Sequence, residues 1–251
     1  MKQILWFRRD LRVNDSAILA YAKDEVLPIF IFDKNILDKL EKDDKRVTFI
    51  YESVLKLKED LKKSGLNLAI FYSTPKEVFE NFENEGFDSI LCSVDFDNYA
   101  KKRDEEIAKI IPMQTFTDSF ITHPNNCLKA DKNPYKVFTP YYNNLKFIWD
   151  SYKLEEFKTN KNLKLISYDF DFIPTLENMG FIKQTLPQFL QKSADELLQD
   201  FEQKIDNYKV DRDFFDKNAT SNLAVHLRFG LISARQVFNK IKELKARSEN
   251  K

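Results

Sequence analysis

Charge crowds the end of the first apolar run. In ILWFRRDLRVND, Ile4–Asp15, four apolar residues lead straight into Arg8, Arg9, Asp10, Leu11 and Arg12. Charge after a strand is commonly a solvated loop, but guanidinium groups gathered at a strand end also make an anion or cofactor seat. Asp33 follows a second apolar run, and Asp95 and Asp97 follow a fourth. Further along, Thr220 and Ser221 precede NLAVHL and would open a helix continuing through Leu227. Hydroxyls and free N–H groups at a helix start form a phosphate cradle, and they serve equally as an ordinary N-cap. His123 and His226 stand apart, and Cys92 and Cys127 show no CxxC spacing. No metal site is expected, and the thiols read as the reduced cysteines of a cytoplasmic protein.

The elements that must position these groups alternate. Apolar runs at Gln3–Phe7, Val26–Phe32, Asn67–Tyr72, Ser89–Val94 and Met113–Phe116 suit strands buried on both faces. Between them lie helical patterns at Arg46–Lys63 and Asn98–Ile111, and Thr74-Pro75-Lys76-Glu77 is a capping box. The alternation predicts an α/β fold, a Rossmann-like parallel sheet flanked by helices, over residues 1–122. Ligands in such sheets sit beyond the C-terminal strand ends, where the charged residues fall.

Six of the eight prolines lie between Pro112 and Pro187, so residues 123–187 read as a long linker wrapped over the first domain, with one helix at Tyr141–Tyr152. From residue 188 to 251 the pattern is helical. Capping boxes at Ser193–Glu196 and Ser233–Gln236 open two stripes, one from Ala194 to Tyr208 and one of Ala234, Val237, Phe238 and Ile241. Neither stripe has an obvious partner in the sequence, so the all-α domain reads as begun and incomplete.

The 251 residues carry 40 basic and 40 acidic side chains, which argues against wholesale coating by nucleic acid but leaves room for a local basic face. Four glycines leave no P-loop and no GxGxxG, so the commonest nucleotide-binding motifs are excluded. No secretory signal or membrane-spanning stretch is read from the sequence.

Three blocks carry a resemblance. LWFRRDLRVND is similar to the WFRxDLRxxDN opening of DNA photolyases and cryptochromes. NPYKVFTPYYNN, Asn133–Asn144, resembles that family's YKVFTPF segment, and TSNLAVHLRFGLISARQV resembles its flavin-binding TSxLSPxLxFGxLSPRxV. The blocks keep the family's order and approximate spacing. The resemblance implies FAD as cofactor, with the phosphate-binding motif falling on Thr220, Ser221, Asn222, Leu223 and Ala224. Alanine stands where the family has its last serine, and Val225 replaces the following proline, so one hydroxyl is missing while the backbone N–H at Ala224 can still donate. It also implies flavin contact for Tyr208, twelve positions before Thr220, and for Arg212 of the RDF segment. Arg228 and Arg235 fit the family pattern, though Arg228 reads equally as a solvated helix charge.

The resemblance further implies an optional antenna chromophore in the first domain. CSVDFDNYAKKRDEE lacks the acidic residue of folate-type members at Ala100, which favours a deazaflavin- or flavin-type pocket lined by Arg8, Arg9, Asp33 and Asp95. Arg12, Asp10 and Asp15 instead read as structural, pairing or capping a helix near Ser16. The expected activity is that of a deoxyribodipyrimidine photolyase, FAD-dependent and light-driven, acting on pyrimidine dimers in damaged DNA as a cytoplasmic monomer. No side chain is expected to do acid–base catalysis. Family members are longer, so the chain is expected to be a fragment, a split product or a natural truncation, holding FAD weakly and inactive alone. The alternatives are a cryptochrome-like blue-light sensor and a stand-alone antenna- or nucleotide-binding α/β module.

Overall fold

The computed structural model describes residues 1–151 and 154–249. The five apolar runs become parallel strands β1 (Lys2–Phe7), β2 (Glu25–Asp33), β3 (Ala69–Ser73), β4 (Ser89–Ser93) and β5 (Met113–Phe116), in the order β3-β2-β1-β4-β5. β3 begins two residues later than its apolar run, and the Leu68 N–H is taken by Asn67 Oδ1 rather than by a neighbouring strand. Strand residues alternate between two cores. Leu5, Phe7, Phe30 and Phe32 pack with α1 (Ala17–Tyr21) and α3 (Lys45–Lys63), whereas Ile4, Trp6, Ile29 and Ile31 pack with α4 (Pro75–Phe82) and α5 (Asn98–Ile107). The sheet is therefore covered on both faces, which explains strands without polar alternation.

Local chemistry sets the helix ends. Asp44 and Asp97 accept from backbone N–H groups at the starts of α3 and α5, and the Thr74–Glu77 capping box forms. α5 stops at Ile107 rather than Ile111, since Ile110 closes a tighter turn onto Ile107 ahead of Pro112. A short α2 (Lys34–Leu37) follows β2, capped by Asp33.

The connecting segment is tied to the α/β unit by polar staples. Asn160 donates to the Leu19 and Ala22 carbonyls, Thr159 to Val13, and the Phe157 N–H to Asp15. Lys58 Nζ donates to the Leu68 and Phe170 carbonyls, and burial lowers its pKa to about 8. Lys164–Leu165, β6, adds a short parallel pairing to the start of β2. The expected linker helix is α6 (Phe138–Ser151), beginning three residues earlier than its sequence pattern; Pro140 sits in its first turn, where a missing N–H is harmless. Its expected end at Tyr152 lies outside the described residues.

The C-terminal stretch holds α7 (Gln188–Gln191), α8 (Ala194–Glu202), α9 (Tyr208–Asp211), α10 (Ala224–Phe229) and α11 (Ala234–Glu249). Its stripes do find partners within the chain, contrary to expectation. Ala194, Leu197 and Leu198 of α8 pack with Leu223, Ile232 and Val237. The first stripe is not one helix, because α8 ends before Ile205 and Tyr208. On α11 the buried side chain is Arg235, while Ile241 is exposed.

Arg235 is buried because it completes a charge cluster. Its Nε donates to Asp15 Oδ2 at 3.0 Å and its Nη2 to Asp118. Arg12 donates to the same Asp118 oxygen at 2.6 Å and, at 3.2 Å, to the Gly230 carbonyl. Asp118 and Asp15 are thereby shared between the sheet and α11. Beside them the Leu11 N–H donates to Phe229, and Gly230, at φ +67°, lies so close that a Cβ would sit 2.1 Å from the Arg9 carbonyl oxygen. Asp10, fully buried, accepts from the Arg8 N–H with one oxygen and has no partner for the other; burial, helped by the charge of Asp118, raises its carboxyl to about 6.

Three outcomes follow for stability, each read by denaturant unfolding. Asp118→Asn leaves two buried guanidiniums undercompensated and is expected to cost about 3–5 kcal/mol; a loss under 1 kcal/mol would show the cluster to be dispensable. Gly230→Ala should cost at least ~3 kcal/mol through strain and overlap, against about 1 kcal/mol for Gly65→Ala, left-handed but with open space around it. Equal losses would mean that the Gly230 approach is soft. Because the folded Asp10 carboxyl lies above the ordinary 3.8, the fold holds its proton more tightly, and stability falls as pH rises from about 4 to about 6. Asp10→Asn should therefore gain about 3 kcal/mol over the parent protein at pH 7.5 and little at pH 4, and a gain that ignores pH would refute the assignment.

Candidate functional site

The strand order reverses on either side of β1, and in such sheets the crevice beyond the strand ends is the binding site. The structure has a cavity of about 560 Å³ there. Its floor and walls are Trp6, Phe30, Phe32 and Ile50, and its rim carries Arg9, Asp33, Asp95, Tyr99 and Arg103. α10 closes it through Ala224, Val225, Arg228 and Phe229. The volume suits a drug-sized or cofactor-sized ring system between apolar walls with a few polar groups.

All four residues expected to line this pocket are brought to it, but in different states. Arg8 turns its guanidinium inward, Nη1 donating to both Asp104 oxygens at 2.6 and 2.9 Å and Nη2 to the Ser93 carbonyl, so it builds the wall rather than reaching into the cavity. Its guanidinium carbon lies 4.7 Å from the Trp6 ring centre and that of Arg103 lies 4.8 Å from it, with Arg103 bonded to the same Asp104. Arg9 is held by Asp95 at 3.0 Å and Asp97 at 3.2 Å. Its pKa is lowered by burial and by Arg228, against the pull of the two carboxylates. Asp33 caps α2 and accepts from the Tyr99 hydroxyl, whose pKa is pushed up to about 12 by burial and by that bond. Cys92, behind Arg8, is raised to about 11, chiefly by burial.

The residues of the TSNLA motif are not all in one place. α10 does not start at Thr220, because Asn222 adopts a left-handed φ of +56° and interrupts any helical path before Leu223. Ser221 Oγ instead accepts from the Leu223 N–H, and Leu223 is buried against α8. Thr220, Ser221 and Asn222 line a cavity of about 140 Å³ with Lys192 and Lys204, a volume that admits a phosphate-sized group and not a flavin ring. Ala224 faces the crevice on the other side. Tyr208 packs edge-on to Phe201, with Arg212 over its ring, and both stand outside these two cavities.

Sequence reasoning missed Arg46, Ile50 and Arg103 as lining residues. In sequence Ile50 falls in the apolar spacing of Arg46–Lys63, and Arg103 falls on the side of Asn98–Ile111 that carries Tyr99, Ile107 and Ile110. Arg12, Asp15 and Asp118 are structural, as expected for the first two. Among the described residues there is no cluster of potential metal ligands and no helix long and apolar enough to cross a membrane.

Comparison with known proteins bears on this site. The deoxyribodipyrimidine photo-lyase of Alkalihalophilus pseudofirmus is 27% identical, the match covering 97% of this chain and 54% of that protein. The archaeal photolyase of Sulfolobus tokodaii, whose crystal structure holds two FAD molecules, superposes with a TM-score of 0.76 at 27% identity over 99% of this chain and 58% of that one. A class III photolyase from Agrobacterium tumefaciens superposes with a TM-score of 0.80 at 22% identity, over 98% and 54% respectively, a likeness of fold. The chain spans about half the length of the curated relatives it matches. The sequence profile described as DNA photolyase matches residues 3–159, well over half of the chain and including every strand end that builds the crevice. The chain belongs to the DNA photolyase family.

Proposed function

We propose that this chain supplies the antenna half and one edge of the flavin site of a light-driven deoxyribodipyrimidine photolyase. The observation that carries this reading is the crevice at the β1/β4 switch point, aromatic inside and lined by Arg9, Asp33, Asp95 and Tyr99. It is large enough for a flavin or deazaflavin ring, and Ala100 offers no acidic anchor for a folate. In this reading residues 1–122 form the antenna domain, 123–187 the linker and 188–251 part of the FAD-binding domain.

Thr220, Ser221 and Asn222 hold an edge of FAD at the small cavity, Leu223 and Ala224 continue that edge toward the crevice, and Tyr208 and Arg212 contact the flavin from outside both cavities. FAD, when bound, supplies the light-driven electron that splits the two bonds of a pyrimidine dimer and is then returned. The protein's part is positioning and the exclusion of water. Damaged DNA is the partner, and a dimer leaves the stack at low cost because its pairing is already weakened. A cytoplasmic monomer fits this role.

The test is uptake. Purified protein mixed with a deazaflavin, FMN or a methenyl folate should co-elute with the first or second near 1:1 and with little folate, and Ile50→Trp, which fills the crevice, should abolish uptake. No uptake of either ring would sink the antenna assignment. Because the cavity beside Thr220 is only phosphate-sized, FAD retention at that edge by residues 1–251 should be well below stoichiometric. Light-dependent loss of thymine dimers in a repair-deficient bacterium expressing the complete system separates photolyase from cryptochrome-like signalling.

A further inference from the structure

The crevice presents two oxidisable rings to its interior, Trp6 and Tyr99, and their surroundings differ. The Arg8 and Arg103 guanidinium carbons lie 4.7 and 4.8 Å from the centre of the Trp6 ring, with Asp104 the one carboxylate shared by both arginines. Taking an electron from Trp6 leaves a positive charge between two fixed cations, and Coulomb repulsion at that distance opposes the step. Tyr99 is placed the opposite way. Its hydroxyl donates to Asp33 Oδ2, and Asn35 Nδ2 donates to that hydroxyl at 3.3 Å. Asp33 is held in place, since its Oδ1 caps α2 by accepting from the Asn35 N–H at 2.9 Å. The phenol keeps its proton in the dark, because burial and the Asp33 bond push its pKa up to about 12. A phenol that loses an electron becomes a strong acid, and here the base that takes its proton is already bonded to it. The product on the protein is a neutral radical, so the Arg103 guanidinium, 5.7 Å from the Tyr99 ring centre, meets no new positive charge.

We propose that Tyr99 is the electron donor to a photoexcited ring in the crevice, with Asp33 as its proton acceptor. This rests on the antenna reading above and goes beyond it, adding a light-driven redox step to a pocket read as a light collector. One electron leaves Tyr99 for an oxidised flavin-type ring, and the phenolic proton crosses to Asp33 Oδ2. No other bond forms or breaks. In the dark the electron and the proton return, and both partners are restored. Excitation spent on Tyr99 is not passed on, so the Tyr99–Asp33 pair sets how much light the crevice hands to a second flavin.

The experiment uses purified protein loaded with FMN and follows two signals after a light pulse, the fluorescence decay of the bound ring and the absorption of a neutral tyrosyl radical. The parent protein should show a shortened decay, slower in D2O than in H2O, and the radical's band. Asp33→Asn keeps an acceptor for the hydroxyl and a residue suited to the N-cap but removes the base, so quenching should slow roughly tenfold or more. Tyr99→Phe should abolish the radical and lengthen the decay at least as much. Decay is read on the bound ring alone, so a variant that holds FMN less tightly still reports. A purely structural tie would lower the unfolding midpoint in both variants and leave the decay as in the parent, and that result overturns the proposal. A decay that stays short in Tyr99→Phe and lengthens in Trp6→Phe gives the role to the indole and overturns it too. FMN bound to the parent with an unquenched decay overturns it while the antenna pocket stands. Failure to bind FMN removes the antenna reading, and the electron donor with it.

Discussion

The structure depends on one buried charge cluster. Asp118 is shared by Arg12 and Arg235, and Arg235 also holds the Asp15 carboxylate, with all four side chains essentially out of solvent. Moving such groups from water costs several kcal/mol each, and the cost is offset only when most of their hydrogen-bonding capacity is met at good geometry. Here the carbonyls of Asp15 and Gly230 and the N–H of Ala17 take up capacity the ion pairs leave over. An arrangement so dependent on geometry tolerates few alternatives, so it fixes the β1 end, the loop after β5 and the start of α11 in one relation. Exposed pairs such as Lys56–Asp60 do nothing comparable, since water competes for both partners.

That relation makes the crevice. The cluster works with the Leu11 N–H bond to the Phe229 carbonyl and the packing of Phe49 on His226 and Phe229 to lay α10 across the strand ends. There Gly230 is pressed against Arg9 and Asp10, and Val225, Arg228 and Phe229 become a wall of the cavity. The opposite wall is assembled differently. Asp104 gathers Arg8 and Arg103 around Trp6, so that the tryptophan is set by two cations and one carboxylate as well as by the edge of Phe79, 4.9 Å away between ring centres. Charge pairing builds the pocket on both sides, and its apolar interior comes from strand residues that needed no such device.

These origins explain what the sequence could reveal. The strands were legible because burial on both faces leaves continuous apolar runs, and α4 and α8 because capping boxes are local. The four pocket residues were legible because strand ends in a parallel sheet converge. The unread parts are those decided at long range. Nothing near Arg235 announces that Asp15 and Asp118 await it, so α11 reads as an amphipathic helix with a stray arginine. Nothing around Asn222 announces a left-handed turn, so Thr220 and Ser221 read as a helix start. Arg8 and Arg9 look equivalent in sequence, yet one faces Asp104 in the wall and the other faces the cavity. Adjacent residues on a chain leaving a strand point in opposite directions, and only the position of α5 decides which meets a counter-charge.

The stretch from Asn218 to Gly230 shows how a short segment can serve two sites without being large. Left-handed residues bracket it, Asn222 at φ +56° and Gly230 at φ +67°, and between them runs a helix of only six residues. Before Asn222 the side chains face the small cavity beside Lys192, and after it they face the crevice. A longer helix begun at Thr220 would have carried the hydroxyls around onto the same cylinder as Arg228 and confused the two environments. The interruption keeps them apart while Leu223, buried between, anchors the strip to α8, and His226 fixes it to the Lys192 carbonyl at 3.0 Å. The loss of the family's serine at Ala224 falls on the crevice side of that divide. Ala224 is exposed there, so the missing hydroxyl is lost from the open side of the crevice, while the phosphate-sized cavity keeps the hydroxyls of Thr220 and Ser221.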